Sequence, residues 1–310
     1  MRLSDYAADC TAAGRAVAEK LGIPFHVFDF SAEFRELVLN DFAESYLSGK
    51  TPNPCVRCNR FIKWPLMLDK CDELGVDYLV SGHYARLEKK DGKYLLKKGK
   101  DAHKDQSYML YNMTQEMLGR ILFPVGEFTK DEIREIARKN GLFTADKKDS
   151  QDICFVPGGD YVSFLENYTK KPLKSGVFVD KNGKILGENK GVAAYTIGQR
   201  KGLGIALGKP QFVVEKDAEN GRVTLSDEAD LFTDTLLAES FNFISGEVPT
   251  KPIKVTAKTR YSAKEETATV YPPENDKIKV VFSTPQRAVT AGQSVVFYDG
   301  DTLLGGGIIV

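Results

Sequence analysis

The sequence has no run of 18 apolar residues, so it offers no membrane-spanning helix. It also lacks an excess of either charge. Lys plus Arg and Asp plus Glu are 43 each, which excludes a protein held on nucleic acid by bulk charge alone but leaves room for a local basic face. Cysteine is scarce and odd in number, five in 310 residues. That argues against a secreted disulfide framework and for a reducing, cytoplasmic setting. The first twenty residues carry Arg2, Asp5, Asp9, Arg15 and Glu19 and have no apolar signal core. Internal repeats and low-complexity tracts are absent too. What is present is 42% hydrophobic and 28% charged, too apolar for a disordered chain and long enough for two or three domains.

The first half alternates helix and strand patterns. Cys10–Leu21 suits a helix ended by Gly22, and Ile23–Phe30 reads as a strand. Ser31 is placed to cap a helix carrying Phe34, Leu37, Val38, Phe42 and Tyr46, and Asn59 to cap another running to Gly75. Asp77–His83 reads as a strand ending in a turn. Such alternation predicts a parallel sheet with ligands beyond its C-terminal strand ends, which puts Ser81, Gly82 and His83 at a site edge. A hairpin turning at Asp91-Gly92 follows. Thr129 then caps a helix over 130–140, with Ile133, Ile136 and Ala137 inward and Gly141 at its end. After about residue 168 short strands take over. Ile253–Thr259, Thr267–Tyr271, Ile278–Phe282 and Ser294–Tyr298 alternate as a small β-barrel would. The expected architecture is a truncated α/β nucleotide-binding domain over 1–167, a small mainly-β domain over 168–230 and a C-terminal barrel over 231–310.

The most unusual stretch is Thr51-Pro52-Asn53-Pro54-Cys55-Val56-Arg57-Cys58-Asn59-Arg60. Its prolines fix a loop, and two thiols stand at the start of a helix, where free amides and the dipole favour thiolates. Zinc is disfavoured because Cys71 and His83 supply no second close pair. Cys154 follows Lys147 and Lys148 and reads as part of a short apolar strand, while Cys10 and Cys71 read as packing residues. His103–Tyr108 has the composition of a solvated loop. Lys251–Lys264 holds five basic residues, no acid, and Tyr261, as a phosphate-and-base contact strip would. Gly198–Gly204 fails the Walker pattern and reads as a tight turn with an anion contact.

Taken in order, Thr51–Asn59, Ser81–Tyr84, Lys104–Tyr108, Phe123–Gly126, Lys148–Phe155, Thr196–Leu203, Lys258–Tyr261, Ala288–Ser294 and Leu304–Ile309 resemble the bacterial tRNA-specific 2-thiouridylase family over nearly the whole chain. The resemblance implies a PP-loop ATPase-like first domain and a cytoplasmic, monomeric sulfurtransferase. This enzyme adenylates C2–O of the wobble uridine (position 34) of tRNA with ATP and Mg2+, then delivers persulfide sulfur to C2. No tightly bound cofactor is implied. The partners implied are tRNA and a persulfide sulfur-donor protein, with no membrane. By motif, Cys154 would carry the persulfide, and Cys58 would release hydrosulfide or close a transient disulfide with it. Asn53, Pro54 and Cys55 match target-base contacts, and Gly82 a nucleotide contact. His83, Lys104, Asp105, Gln106, Arg260, Tyr261 and Gln293 match tRNA contacts. Extruding the base costs little in a single-stranded loop.

Two departures stand out. Many family members have an Asp, a proposed acid/base group, where this chain has Cys55. The family also opens with a strand and a Ser-Gly-Gly-x-Asp-Ser phosphate loop. That motif does not occur in these 310 residues, and Pro157-Gly158-Gly159-Asp160 is only an echo of it. The expectation is therefore poor ATP binding by the chain as given. Two other readings stand beside the sulfurtransferase: a non-catalytic tRNA-binding remnant, and a CxxC thiol-redox or zinc protein.

Overall fold

The computed structural model describes residues 3–146 and 153–310. The Lys148-Asp149-Ser150 motif and the side chain of Cys10 lie outside what is described. The first helix spans Leu3–Leu21, and Gly22 takes φ +66° beyond it, as a left-handed helix stop requires. The expected strand over 23–30 does not form. Alternating apolar residues make a strand only where another strand pairs with them. Here no described strand lies alongside, and Ile23 and Val27 are 54% and 59% exposed. The helical run over 31–47 contains a π turn at Arg35–Leu39. Ser31 does not cap it. Asp29 does the local bonding instead, accepting from the Ser31 amide at 2.9 Å.

The next helical run starts at Pro54, and its cap is Asn53, not Asn59. The Asn53 carboxamide oxygen accepts from the Cys55 and Val56 amides at 3.2 and 3.3 Å. Asn59 lies inside the run, at the head of a π turn over Asn59–Lys63, and Pro65–Leu74 continues it to Gly75 at φ +66°.

Leu79–Val80 (β1) is followed by the hairpin Ala85–Lys90 (β2) and Lys93–Lys98 (β3), then Ile121–Leu122 (β4). β1 and β4 pair in parallel. The hairpin turns at Asp91 and Gly92, φ 50° and 80°, as its sequence requires. The helix Lys130–Lys139 has the full Thr129–Glu132 capping box, but its apolar stripe is not inward: Ile136 is 44% exposed and no residue of the helix is buried.

In the middle part, Gly176–Val179 (β5), Ile185–Asn189 (β6), Phe212–Asp217 (β7) and Arg222–Ser226 (β8) form a sheet ordered β6-β5-β8-β7 over its own core around Phe178, Val213 and Val223. The last six strands are Phe232–Phe243 (β9), Ile253–Lys258 (β10), Glu266–Val270 (β11), Ile278–Arg287 (β12), Ser294–Asp299 (β13) and Thr302–Ile309 (β14). They run β13-β10-β11-β12-β9-β14, and β14 returns to β13, closing the barrel that the sequence predicts.

β13 explains why the barrel cannot be described apart from the first part. It is buried from Ser294 through Tyr298 without a polar alternate. Val295 and Phe297 point into the barrel core, whereas Val296 and Tyr298 join the core of Tyr108, Tyr111, Met113 and Trp64. β14 also pairs with β3 through Thr302 and Lys97.

Candidate functional site

A concave pocket of about 780 Å³ opens beyond the C-terminal end of β1, where ligands sit in open parallel α/β sheets. Its wall brings together residues from five separate stretches. The helix start gives Pro54, Cys55 and Cys58, and the strand end gives Gly82 and His83. The segment after the hairpin gives Lys104 and Gln106, the turn after the undescribed stretch gives Cys154, and the barrel gives Tyr261. The expected site residues thus largely converge. Asn53 sits behind the wall as helix cap, its amide nitrogen 3.7 Å from the Met109 sulfur. Asp105 shapes the loop by accepting from the Gly99 and Ser107 amides at 3.0 and 3.1 Å. Arg260 is exposed beside Tyr261 but off the pocket wall, and Gln293 lies behind the Thr51 loop.

Each thiol is held by its neighbours. Cys58 closes the short helix Pro54–Cys58, whose Arg57 reaches back to Asp41 at 3.2 Å. Cys154 is not in a strand; it sits in a turn where the Val156 amide donates to the Ile153 carbonyl at 2.8 Å. Polar residues precede it and only three apolar ones surround it, too few for a strand without a partner edge. The anchor is Phe155, which packs edge-on against Phe42 at 5.0 Å and Phe34 at 5.8 Å. So the sulfur faces the pocket while the next side chain is locked in the core.

The helix start was expected to favour thiolates. The net effect is opposite. Loss of water around the pocket raises the Cys55 and Cys154 thiols and pushes Cys58 up to about 11. Lys63 opposes this at all three sulfurs. It stands at the end of the π turn, lines the pocket, and went unnoticed in the sequence, where a lysine in a helical pattern reads as solvated. His83 is 9% exposed between Trp64 and Phe123, with its Nδ1 2.6 Å from the Ser81 hydroxyl. Burial and the Lys63 charge push it down to about 3, so it is a neutral imidazole at physiological pH. Gln106 is fixed by the Tyr84 amide, which donates to its Oε1 at 3.1 Å. The segment over 103–108 is therefore a pocket wall rather than a free loop. At Gly82 an added Cβ would meet nothing within 4 Å, so the strand end leaves open space for a ligand. Among the described residues no group of three or more His, Cys, Asp or Glu is placed to hold a metal ion.

An α/β domain with a pocket at its strand ends, three thiols in the wall and a barrel fused to its back defines a thiol-bearing enzyme of the nucleotide-binding type. Three family models match along the chain. Residues 4–158 match one described as the tRNA methyl transferase HUP domain. Residues 162–227 match the tRNA methyl transferase PRC-barrel domain, and 233–309 the aminomethyltransferase beta-barrel domain. The chain is 54% identical over 297 residues to the tRNA-specific 2-thiouridylase MnmA of Acetivibrio thermocellus, covering 95% of this chain and 83% of that protein. It is 51% identical to the protein of the same name from Clostridium acetobutylicum over 95% and 83%. The one from Clostridioides difficile is 50% identical over 95% and 82%. The chain belongs to the tRNA-specific 2-thiouridylase family, whose members are tRNA-uridine 2-sulfurtransferases.

Proposed function

We propose that this chain replaces the C2 oxygen of the wobble uridine of tRNA with sulfur, using Cys154 as persulfide carrier and Cys58 as its partner thiol. The observation that carries this reading is the convergence of Cys58 and Cys154, distant in sequence, on one pocket. The family-model descriptions speak of methyl transfer and the relatives' names of thiolation. A wall with three thiols supports the second.

ATP, as co-substrate with Mg2+, supplies the AMP that makes O2 a leaving group; Gly82 and the open space at the strand end would border it, while these 310 residues, without a Ser-Gly-Gly-x-Asp-Ser segment, are expected to bind it weakly. A donor protein leaves Cys154 as Cys154–S–SH. The Cys58 thiolate attacks the Cys154 sulfur, and the outer sulfur departs as hydrosulfide to add at C2 and expel AMP. If the outer sulfur adds to C2 first, the same attack by Cys58 then releases it there. Both routes end in a Cys58–Cys154 disulfide that a dithiol reduces. Neutral His83 and fixed Gln106 would meet the RNA as hydrogen-bonding groups. Asn53, Pro54 and Cys55 would border the extruded base, while Lys104, Asp105, Arg260, Tyr261 and Gln293 form or support the surrounding RNA contact. The barrel side adds Lys258 and Tyr261, with the ammonium 5.8 Å from the ring centroid. We place the domain boundaries after residues 167 and 230. The packing of Leu165 with Phe155, Val156 and Phe42 supports keeping the helix that starts at Tyr161 with the first part as far as residue 167.

The test is mass spectrometry of tRNA from cells lacking the endogenous activity and complemented with the gene in its natural context. Cys58→Ser and Cys154→Ser are each expected to abolish 2-thiouridine. Wild-type levels with either variant overturn that thiol's role.

A further inference from the structure

The pocket is asymmetric in charge. No Asp or Glu is among the described residues that line it, although sulfur transfer there must pass through anionic sulfur. The local helix geometry determines which cation answers that anion. In a regular α-helix, successive residues turn by about 100°, so a residue five places after Cys58 would point roughly 140° away from it. The chain instead makes the π turn Asn59–Lys63, closed by the Trp64 amide donating to the Asn59 carbonyl at 3.4 Å. This wider turn rotates Lys63 back toward the Cys58 side, onto the same pocket wall. The energetic cost of a π turn is retained where geometry matters more than regular bonding.

We propose that Lys63 is the positioning residue that holds anionic sulfur in this pocket, through its ammonium at the wall shared by Cys55, Cys58 and Cys154. The proposal rests on the sulfur-transfer reading of the site. Three further observations support Lys63 over its neighbours. No ion pair is formed by Lys63 with a described carboxylate, and its ammonium stands 5.9 Å from the Trp64 ring centroid, a weak hold that leaves the charge available. Its charge acts in the same direction on all three thiols and on His83. Lys104 and Lys130 also line the pocket, but Lys63 is the cation whose charge is felt at the thiols; Lys130 stands over the Tyr84 ring at 5.6 Å, and the Lys104 charge is felt at Tyr261.

The titratable groups around the sulfurs come from every side. His103 and Lys104 lie on the segment after the hairpin, Lys130 on the helix behind it, His83 at the strand end and Tyr261 on the barrel. The experiment must therefore isolate Lys63. Iodoacetamide is uncharged and alkylates the thiolate, so its rate on each cysteine, measured from pH 7 to 10, tracks that thiol's ionisation without ATP or RNA. Trypsin cuts after Arg57 and so separates Cys55 from Cys58 for mass spectrometry. Lys63→Gln is expected to slow alkylation of Cys58 and Cys154 roughly three- to tenfold at pH 8, up to about one pKa unit, and to move both profiles to higher pH. Lys63→Arg is expected to keep the wild-type profile. Buried Cys71 is the internal control for folding. If it becomes reactive in Lys63→Gln, the comparison passes to Lys63→Met, which keeps the aliphatic stem. Superimposable profiles for wild type and the neutral variant overturn the role of Lys63. Retention of 2-thiouridine by the cysteine variants would overturn the sulfur-transfer reading instead, whatever the alkylation shows.

Discussion

The Gln293 side-chain amide donates to the Thr51 carbonyl at 2.8 Å, and the Thr51 amide in turn donates to the Ala291 carbonyl at 2.8 Å. A barrel turn thus grips the loop that leads into Cys55 and Cys58. Gly292 sits between the two bonds at φ +89°, where a Cβ would come within 3.0 Å of the Thr51 nitrogen. Gln293→Ala is expected to lower stability by about 1 kcal/mol and to speed hydrogen exchange at the Thr51 and Cys55 amides. Unchanged exchange in that loop would show that the grip does not matter.

His83 carries a pH signature. Its folded pKa is pushed down to about 3 from 6.5, so below pH 6.5 the unfolded chain takes up a proton that the folded chain refuses. Stability therefore falls as pH drops from about 6.5 toward 3 and is unaffected by this group above that window. Urea melts at pH 4.5 and 7.5 check this by difference. His83→Gln is expected to remove about 1–3 kcal/mol of the acid loss seen in wild type. Equal acid losses in the two proteins would count against a buried neutral imidazole.

Phe155 decides where Cys154 sits. Its ring meets Phe42, Phe164 and Phe34 at centroid distances of 5.0, 5.2 and 5.8 Å. Phe155→Ala is expected to cost about 3–5 kcal/mol and to abolish 2-thiouridine formation, with Phe155→Leu recovering most of the stability. Thermal melts and tRNA mass spectrometry check both halves. Full activity in Phe155→Ala would mean the turn needs no anchor.

For ATP the expectation concerns these 310 residues alone. They contain no Ser-Gly-Gly-x-Asp-Ser segment to cradle phosphates. Titration calorimetry of the 310-residue chain with a nonhydrolysable ATP analogue is expected to give weak binding or none. Micromolar affinity would show that other backbone amides do the cradling.

What the sequence revealed follows the range of the forces involved. Turns set by single residues were legible, as at Asp91-Gly92 and at the Thr129–Glu132 box. So was the barrel's alternation at Val255 and Ala257. The segment over 23–30 misled because strand formation depends on a partner elsewhere in the chain. Asn59 misled because Asn53, six residues earlier, already satisfies the first free amides. The two cysteines were legible as a pair of sulfurs, but their ionisation was not. At Cys154 local amides favour the thiolate, and at both sulfurs the surrounding walls, assembled from distant segments, push the other way and win. Lys63 was invisible for a related reason: only an irregular helical turn aims it inward.

β13 presents its alternate side chains to two interiors at once, one inside the barrel and one beneath the thiol pocket. It acts as a party wall. Cutting the chain before residue 231 would uncover Tyr108, Tyr111 and Met113, all of which are fully enclosed in the intact molecule. The two portions therefore stand or fall as one cooperative unit.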